Sequence, residues 1–164
     1  MPADTLPPLE PRALADAFAL MPEPVVVIGA AAEGELGGLT AAWVTRVSHA
    51  PPLLLVSIGH ERYTYGLLRR SRHFSVSILN AGQVDAGRHF GLQSRRDVDK
   101  WATVEYLLLG GHTPALVHCA ARFLCTTRDR FRTGDHDCFV GEVVQAEIVA
   151  GGPALPMRSE DYGA

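Results

Sequence analysis

The sequence predicts a single, mainly β domain: a closed or partly closed β-barrel decorated by short helices. Three observations support this fold class. The chain has 164 residues, the usual size of one domain. Apolar residues make up 47% and charged residues 20%, which allows a packed core and argues against wholesale disorder. About six strand-like segments mostly follow one another directly, with only a few helices between them, as in a barrel.

Local patterns justify the individual elements. Prolines and weak periodicity over residues 1–11 predict a flexible lead, and residues 12–164 are expected to form the folded domain. Apolar residues at helical spacing predict three helices, at 12–21, 62–72 and 83–91. β-branched, alternating or apolar runs predict strands at 25–28, 39–48, 53–58, 74–79, 116–130 and 138–149. A polar turn at 132–135 joins the last two strands, and the charged segment 94–100 is expected to be a loop or a helix start.

Composition and charge exclude several classes of protein. The formal net charge of −3 argues against a general nucleic-acid binder, which would carry a basic surface. Three cysteines without C-x-x-C spacing argue against a disulfide framework or a structural zinc site, and favour a reducing cytosol. We see no signal peptide, and the uncharged run 106–121 is too short and too interrupted to span a bilayer. We therefore expect a cytoplasmic protein without membrane contact.

Two segments have the chemistry to hold a phosphate group. Neither a G-x-G-x-x-G nor a G-x-x-x-x-G-K-[ST] motif is present, so hydroxyls and cations would have to bind the phosphate. Residues 60–64 place Arg62 and Thr64 where a strand leads into a helix, and residues 94–100 supply further cations. From spacing alone, both segments are more simply explained by a capped helix with solvated charges. Lys100 is the single lysine beside fourteen arginines, which reflects either composition or a site that requires a compact cation.

Two further segments suggest contact with a flat ligand. In residues 40–45, small side chains flank Trp43, so a planar ring can lie against the backbone; alternatively, Trp43 is a core residue. In residues 134–137, His136 can bind a metal, transfer a proton or stack on a planar ligand. The histidine spacing throughout the chain does not suit a metal, so we predict no metal site. Asp135 and Asp137 are also typical of an ordinary turn.

Together these segments resemble the flavin reductase-like proteins with an FMN-binding split-barrel fold, and in particular the flavoredoxin-like branch. The resemblance runs from about Pro22 to Tyr162. It rests on the order and spacing of seven stretches, at 38–45, 48–53, 56–58, 62–64, 73–79, 95–100 and 134–143. The sequence departs from the family at Ala42, where Ser or Asn is frequent, and at Ser77, where Asn is common. It also has Glu23-Pro24 where many members have Thr-Gly.

The resemblance implies a noncovalently bound FMN and NAD(P)H as co-substrate. It assigns the isoalloxazine and ribityl chain to Thr40, Ala41, Ala42 and Trp43. The phosphate contacts that it implies are Ser57, Arg62, Thr64, Ser94, Arg95 and Lys100. His136 would place the nicotinamide.

The resemblance also implies a homodimer with the flavin near the subunit interface, and an electron acceptor such as a partner monooxygenase. The activity that it implies is an NAD(P)H-dependent flavin reductase. Two other functions remain open: an FMN electron-transfer protein reduced by a protein partner, and a non-catalytic ligand-binding barrel.

Overall fold

A seven-stranded antiparallel sheet forms most of the computed structural model, which describes residues 8–163. The strands are β1 (Val26–Ala32), β2 (Glu35–Ala41), β3 (Val44–Ser48), β4 (Leu53–Gly59), β5 (His73–Ile78), β6 (Tyr106–Leu109), β7 (Thr113–Leu116), β8 (Ala121–Thr133) and β9 (His136–Ile148). The helices are α1 (Pro11–Phe18), α2 (Tyr63–Arg70) and α3 (Val84–Leu92), with short 3-10 helices at Lys100–Thr103 and Ser159–Tyr162. None of the helices described is long and apolar enough to cross a membrane.

The order of the strands makes the sheet a split barrel. In space it runs β2-β1-β5-β8-β9-β4-β3, while β6 and β7 form a separate hairpin. β2 and β3 are therefore the two edges of the sheet, although only Ala42 and Trp43 separate them along the chain. The sheet must curl to bring its edges together at this point, which we call the seam. The mainly β, split-barrel fold predicted from the sequence is confirmed.

Two apolar clusters cover the two faces of the sheet. The first fills the inside of the barrel, where Val56, Phe74 and Phe139 pack beneath Leu67 of α2. The second lies on the outer face, where α3 and the 3-10 helix contribute Phe90 and Trp101. The uninterrupted apolar run at 25–28 follows from this arrangement, because β1 is covered on both faces.

Several predicted boundaries were wrong. The strand predicted over 39–48 is two strands, because the chain leaves one edge of the sheet at Ala41 and joins the other at Val44. The strand predicted over 116–130 begins at Ala121, since residues 113–116 pair with β6 in a hairpin that the sequence analysis did not predict. α1 ends at Phe18 rather than residue 21. Most of the flexible lead predicted over 1–11 lies outside the described residues.

Candidate functional site

A cavity of about 220 Å³ lies beside the start of α2. Its walls bring together the two charged segments of the sequence, 60–64 and 94–100. Five predicted site residues line it: Arg62, Thr64, Ser94, Arg95 and Lys100. We call this the Arg62 cavity. Two charged segments about thirty positions apart in the sequence thus share one site, which solvated surface charges would not require.

Lys100 is the buried charge of the Arg62 cavity, with 4% of its surface exposed. Its Nζ donates hydrogen bonds to the carbonyl oxygens of Gly38, at 3.0 Å, and Phe90, at 2.8 Å. Burial, and secondarily the charge of Arg62, lowers the pKa of Lys100 to about 8. An ammonium group has three N–H donors, so two carbonyls leave one donor for a ligand. Lys100 therefore ties the 3-10 helix to β2 and α3 while lining the cavity.

Arg95 is also held by the fold. Its Nε donates to the carbonyl oxygen of Leu36 at 3.3 Å and lies 3.9 Å from Asp99 Oδ1. Asp99 in turn accepts a hydrogen bond from the backbone N–H of Trp101 at 3.2 Å, which begins the 3-10 helix. The segment 94–100 is thus a loop that leads into a short helix, and the side chains of Arg95 and Lys100 are held by hydrogen bonds to the fold.

β2 connects the Arg62 cavity to the seam. Leu39 forms part of the cavity wall, and Thr40 and Ala41 follow it along the strand. The hydroxyl of Thr40 donates to the carbonyl oxygen of Gly87 in α3 at 2.6 Å, and the side chain of Ala41 is buried in the barrel. Both side chains are engaged in packing, so the contacts that these two residues offer a ligand come mainly from the backbone.

Trp43 is an exposed aromatic residue at the seam. With 53% of its surface exposed, it is not the core residue that one interpretation of the sequence allowed. Its ring centroid lies 4.7 Å from that of His136, and the two planes are tilted by 42°. Its carbonyl oxygen accepts a hydrogen bond from the backbone N–H of Ser57 at 3.0 Å, so β4 holds it in place. Ser57 and Ala42 are half-buried, and neither lines the Arg62 cavity.

His136 is the first residue of β9. A two-residue turn precedes it, in which Gly134 takes the left-handed φ of 58° that favours glycine. The Nδ1 atom of His136 lies 2.6 Å from Asp135 Oδ1, and this hydrogen bond lowers the pKa of Asp135. The hydrogen bond fixes the imidazole orientation and leaves Nε2 to contact a ligand.

Asp137 is the functional candidate that the sequence analysis missed. It is 4% exposed and is not a simple turn residue, because it faces the inside of the barrel in β9. Its carboxylate lies 2.8 Å from His60 Nε2 and accepts hydrogen bonds from the Tyr65 hydroxyl, at 3.0 Å, and from Arg130, at 2.8 Å. Burial alone would raise the pKa of Asp137, but these hydrogen bonds outweigh it and lower the pKa.

The same residues line a second cavity, of about 350 Å³, on another side of α2. It is bounded by His60, Tyr65, Arg69, Arg130, Arg132 and Asp137, and we call it the Asp137 cavity. The sequence signal for it was weak: an aspartate at an inward position of a strand, two residues before Phe139. Among residues 8–163, no group of three or more His, Cys, Asp and Glu side chains is arranged to hold a metal ion.

A third cavity, of about 460 Å³, lies elsewhere and is mainly apolar. Val44, Leu53 and Val143 are among its lining residues. It opens beside β3, the edge strand that follows Trp43, and none of the predicted site residues lines it. The chemistry-bearing side chains are therefore concentrated around α2 and the seam.

The fold and this arrangement define a class: a split barrel with a cationic cavity joined by an edge strand to an exposed aromatic pair. A model of the family described as flavin reductase like domain matches residues 18–162. The chain belongs to this family.

Three similar proteins illustrate the relationship. The chain is 34% identical over 147 residues to an NADH-dependent FAD reductase of Streptomyces globisporus, covering 88% of this chain and 80% of that one. It is 36% identical over 135 residues to the stachydrine N-demethylase reductase subunit of Rhizobium meliloti, covering 82% of this chain but 57% of the relative. The crystal structure of an FMN-binding protein from Thermus thermophilus with bound 1-cyclohex-2-enone matches with a TM-score of 0.78 and 32% identity, covering 92% and 82% of the two chains.

Proposed function

We propose that this protein is an NAD(P)H-dependent flavin reductase that binds FMN noncovalently. The observation that carries the proposal is the arrangement along the second half of β2, where Leu39 lines the cationic Arg62 cavity and Trp43, four residues further along the chain, packs against His136. FMN has the matching division, with a phosphate at one end and a flat ring system at the other. Membership in the flavin reductase like domain family supports the same conclusion.

The donors of the Arg62 cavity fit a phosphate group. Arg62, Arg95, Arg96 and Lys100 supply four cations, and Thr64 and Ser94 supply hydroxyls. The one carboxylate of the lining, Glu61, lies 3.3 Å from Arg62 Nε. Charge-assisted hydrogen bonds of this kind are the strong ones, and a phosphate monoester has several acceptor oxygens to receive them. Lys100 is held in place before any ligand arrives, so little ordering is lost when the phosphate binds.

The seam supplies the surfaces for the flat ring. Ala42 and Trp43, with the backbone of Thr40 and Ala41, would lie along the isoalloxazine and ribityl chain, and Ser57 fixes Trp43 from the neighbouring strand. When bound, FMN supplies the ring that accepts hydride from the nicotinamide, so the protein needs chiefly to orient the two rings. His136, with Nδ1 held by Asp135, is a positioning residue for the nicotinamide.

Two measurements test this function. The purified protein should show the flavin absorbance bands after FMN is added, and anaerobic addition of NADH or NADPH should bleach them. Bound flavin without bleaching would instead favour the electron-transfer protein, and no flavin binding would favour the ligand-binding barrel. Titration with FMN and FAD in parallel tests the choice of cofactor, because one similar protein is an FAD reductase.

The role of His136 is tested by His136→Ala. We expect the KM for NAD(P)H to rise about tenfold while the Kd for FMN changes less than twofold, because the imidazole contacts Trp43 and lies outside the Arg62 cavity. His118→Ala, at an exposed histidine paired with Glu105, is the matched control. Unchanged steady-state kinetics in His136→Ala would contradict this role.

We further infer a homodimer with the flavin near the subunit interface. Trp43 and Val47 expose apolar side chains beside the large apolar cavity, and β3 leaves one edge unpaired in the described sheet. A second copy of this chain would cover these surfaces. Val47→Glu should shift the mass measured by light scattering from dimer to monomer, whereas a monomeric wild-type protein would overturn the inference.

We also propose a cytoplasmic location and an electron acceptor that is a partner protein such as a monooxygenase. The described cysteines Cys119, Cys125 and Cys138 are all free thiols, which is compatible with a reducing compartment. The similar Rhizobium protein is a reductase subunit, which supports a partner of this kind. Candidate monooxygenases tested with the purified reductase and NADH should turn over only when both components are present.

A further inference from the structure

The Asp137 cavity is a second cationic site that the proposed FMN contacts do not use. We propose that it binds the phosphate groups of the nicotinamide dinucleotide. The nicotinamide would then lie at His136, and the adenylate half would lie on the opposite face of the sheet, at the start of β9. The identity of the ligand rests on the proposed reductase function. The presence of an anion site rests on the geometry of the cavity alone.

The charges of the cavity wall favour an anion. Arg69, Arg130 and Arg132 contribute three positive charges, whereas Asp137 contributes one negative charge and is already paired with Arg130. Within residues 8–163, Arg69 and Arg132 form no ion pair with a carboxylate. Two guanidinium groups therefore remain to bind phosphate oxygens, for which their forked donors are well suited.

The wall is organised around its buried carboxylate. Asp137 holds Arg130 and His60 from two sides, and Tyr65 donates to it from α2. The guanidinium of Arg69 lies 5.8 Å from the centre of the Tyr65 ring, and Arg132 Nε donates to the carbonyl oxygen of Gly134 at 3.3 Å. Each arginine thus has an anchor within the fold and still has other N–H donors available.

The strand register places this cavity across the β8–β9 hairpin from His136. Asp137 directly follows His136 in β9, so their side chains point to opposite faces of the sheet. Arg132 of β8 pairs with Asp137, and Arg130 pairs with Phe139, which puts all four on the inner face. In the proposed binding mode, a dinucleotide with its nicotinamide at His136 would pass around the end of the β8–β9 hairpin, between Thr133 and His136, to bring its phosphates to the arginines.

Direct binding tests the site without requiring turnover. The FMN-saturated protein is titrated calorimetrically with ADP and with 2′,5′-ADP, so that neither compound can occupy the Arg62 cavity. We expect Arg69→Ala and Arg132→Ala each to raise the Kd about tenfold. Arg128→Ala is the matched control, because Arg128 is an exposed arginine of the same strand that pairs with Glu142 instead. All three changes are at exposed positions, and thermal unfolding checks that the variants remain folded.

The two compounds distinguish the source of the phosphate. Tighter binding of 2′,5′-ADP assigns the site to the 2′-phosphate of NADPH, and equal binding assigns it to phosphates that NADH and NADPH share; either result supports the proposal. Failure of the wild-type protein to bind either compound, or the same Kd in all variants, overturns it.

Kinetics separate this proposal from the reductase function. The two arginine variants should raise the KM for NADH or NADPH about tenfold but leave kcat/KM unchanged with dihydronicotinamide riboside, which has no phosphate. An equal loss with the riboside would contradict the proposal. Nucleotide binding without any oxidation would leave the site standing and refute the reductase. Oxidation of NADH or NADPH by the wild type, together with an unchanged Kd in the arginine variants, would support the reductase function and overturn the proposed site.

Discussion

The two cavities beside α2 hold opposite charges at their buried ends. In the Arg62 cavity the buried group is the ammonium of Lys100, held by two backbone carbonyls. In the Asp137 cavity it is a carboxylate, held by Tyr65, Arg130 and His60. Both cavities nevertheless present arginines at their open sides. The buried charge fixes the shape of each wall, whereas the exposed charges determine which ligand is attracted.

Removing the buried carboxylate should have the largest effect. Asp137→Ala leaves three polar partners without their acceptor, so we expect the free energy of unfolding to fall by about 3 kcal/mol. Asp137→Asn should cost less, because it keeps the shape and one acceptor oxygen. Urea unfolding of the two variants and the wild type measures both. A loss below about 1 kcal/mol in the alanine variant would show that the carboxylate does not organise the wall.

The pKa of Asp137 gives this effect a pH dependence. Since the pKa is lower in the folded than in the unfolded chain, the charge contributes stability above the unfolded value of about 3.9, and this contribution is lost as the pH falls through the folded value. The difference in stability between wild type and Asp137→Asn should therefore shrink below about pH 4. A difference that stays constant between pH 7 and pH 3 would contradict the assignment.

Removing the buried ammonium should act mainly on the ligand. We expect Lys100→Gln to raise the Kd for FMN about tenfold, because the cavity loses its pre-positioned cation. Arg128→Ala, an exposed arginine outside the cavity, should leave the Kd unchanged. Fluorescence quenching of FMN measures both constants. Equal and small changes of the Kd in both variants would show that Lys100 does not bind FMN and only connects the 3-10 helix to β2 and α3.

Lys100 also predicts two pH effects of opposite sign. Its pKa of about 8 lies below the ordinary 10.5, so the unfolded chain binds more protons between these values and the stability contributed by this group rises with pH. Over the same range the cavity loses a positive charge, so FMN affinity should fall as the pH rises through about 8. Both trends should disappear in Lys100→Gln, and their persistence there would assign them to other groups.

The smallest effect on stability is expected at the seam. Trp43 is mostly exposed, so Trp43→Ala should change the free energy of unfolding by no more than about 0.5 kcal/mol, while FMN affinity falls several-fold. Trp101→Ala is the contrast, because Trp101 is buried and its removal should cost about 3–5 kcal/mol. A large loss of stability in Trp43→Ala would indicate that Trp43 packs as a core residue.

The local patterns of the sequence predicted much of the fold. β1, β4, β5 and α2 were found within a few residues of their observed ends, because each has a continuous or alternating apolar pattern. The break at Ala42-Trp43 was not predictable in this way, since apolar and β-branched residues lie on both sides of it within 39–48. What ends β2 is the curl of the whole sheet, which is a tertiary property.

The candidate site was predicted unevenly for a similar reason. The segments 60–64 and 94–100 were selected by their chemistry, and the five site residues predicted within them line one cavity. The sequence left Asp137 open to interpretation as an ordinary turn residue, because its three partners, His60, Tyr65 and Arg130, come from distant parts of the chain. Side chains that converge only after strand pairing carry no signal in the local sequence.

The two-residue seam also limits how far the barrel can open. Three residue steps separate Ala41 at one edge from Val44 at the other, and a fully extended chain spans at most about 11 Å over that length. Neighbouring strands in a sheet are about 4.8 Å apart, so the two edges can never separate here by much more than two strand spacings. The maximum aperture is therefore set by covalent chain length rather than by hydrogen bonds, and the same limit holds with or without a ligand.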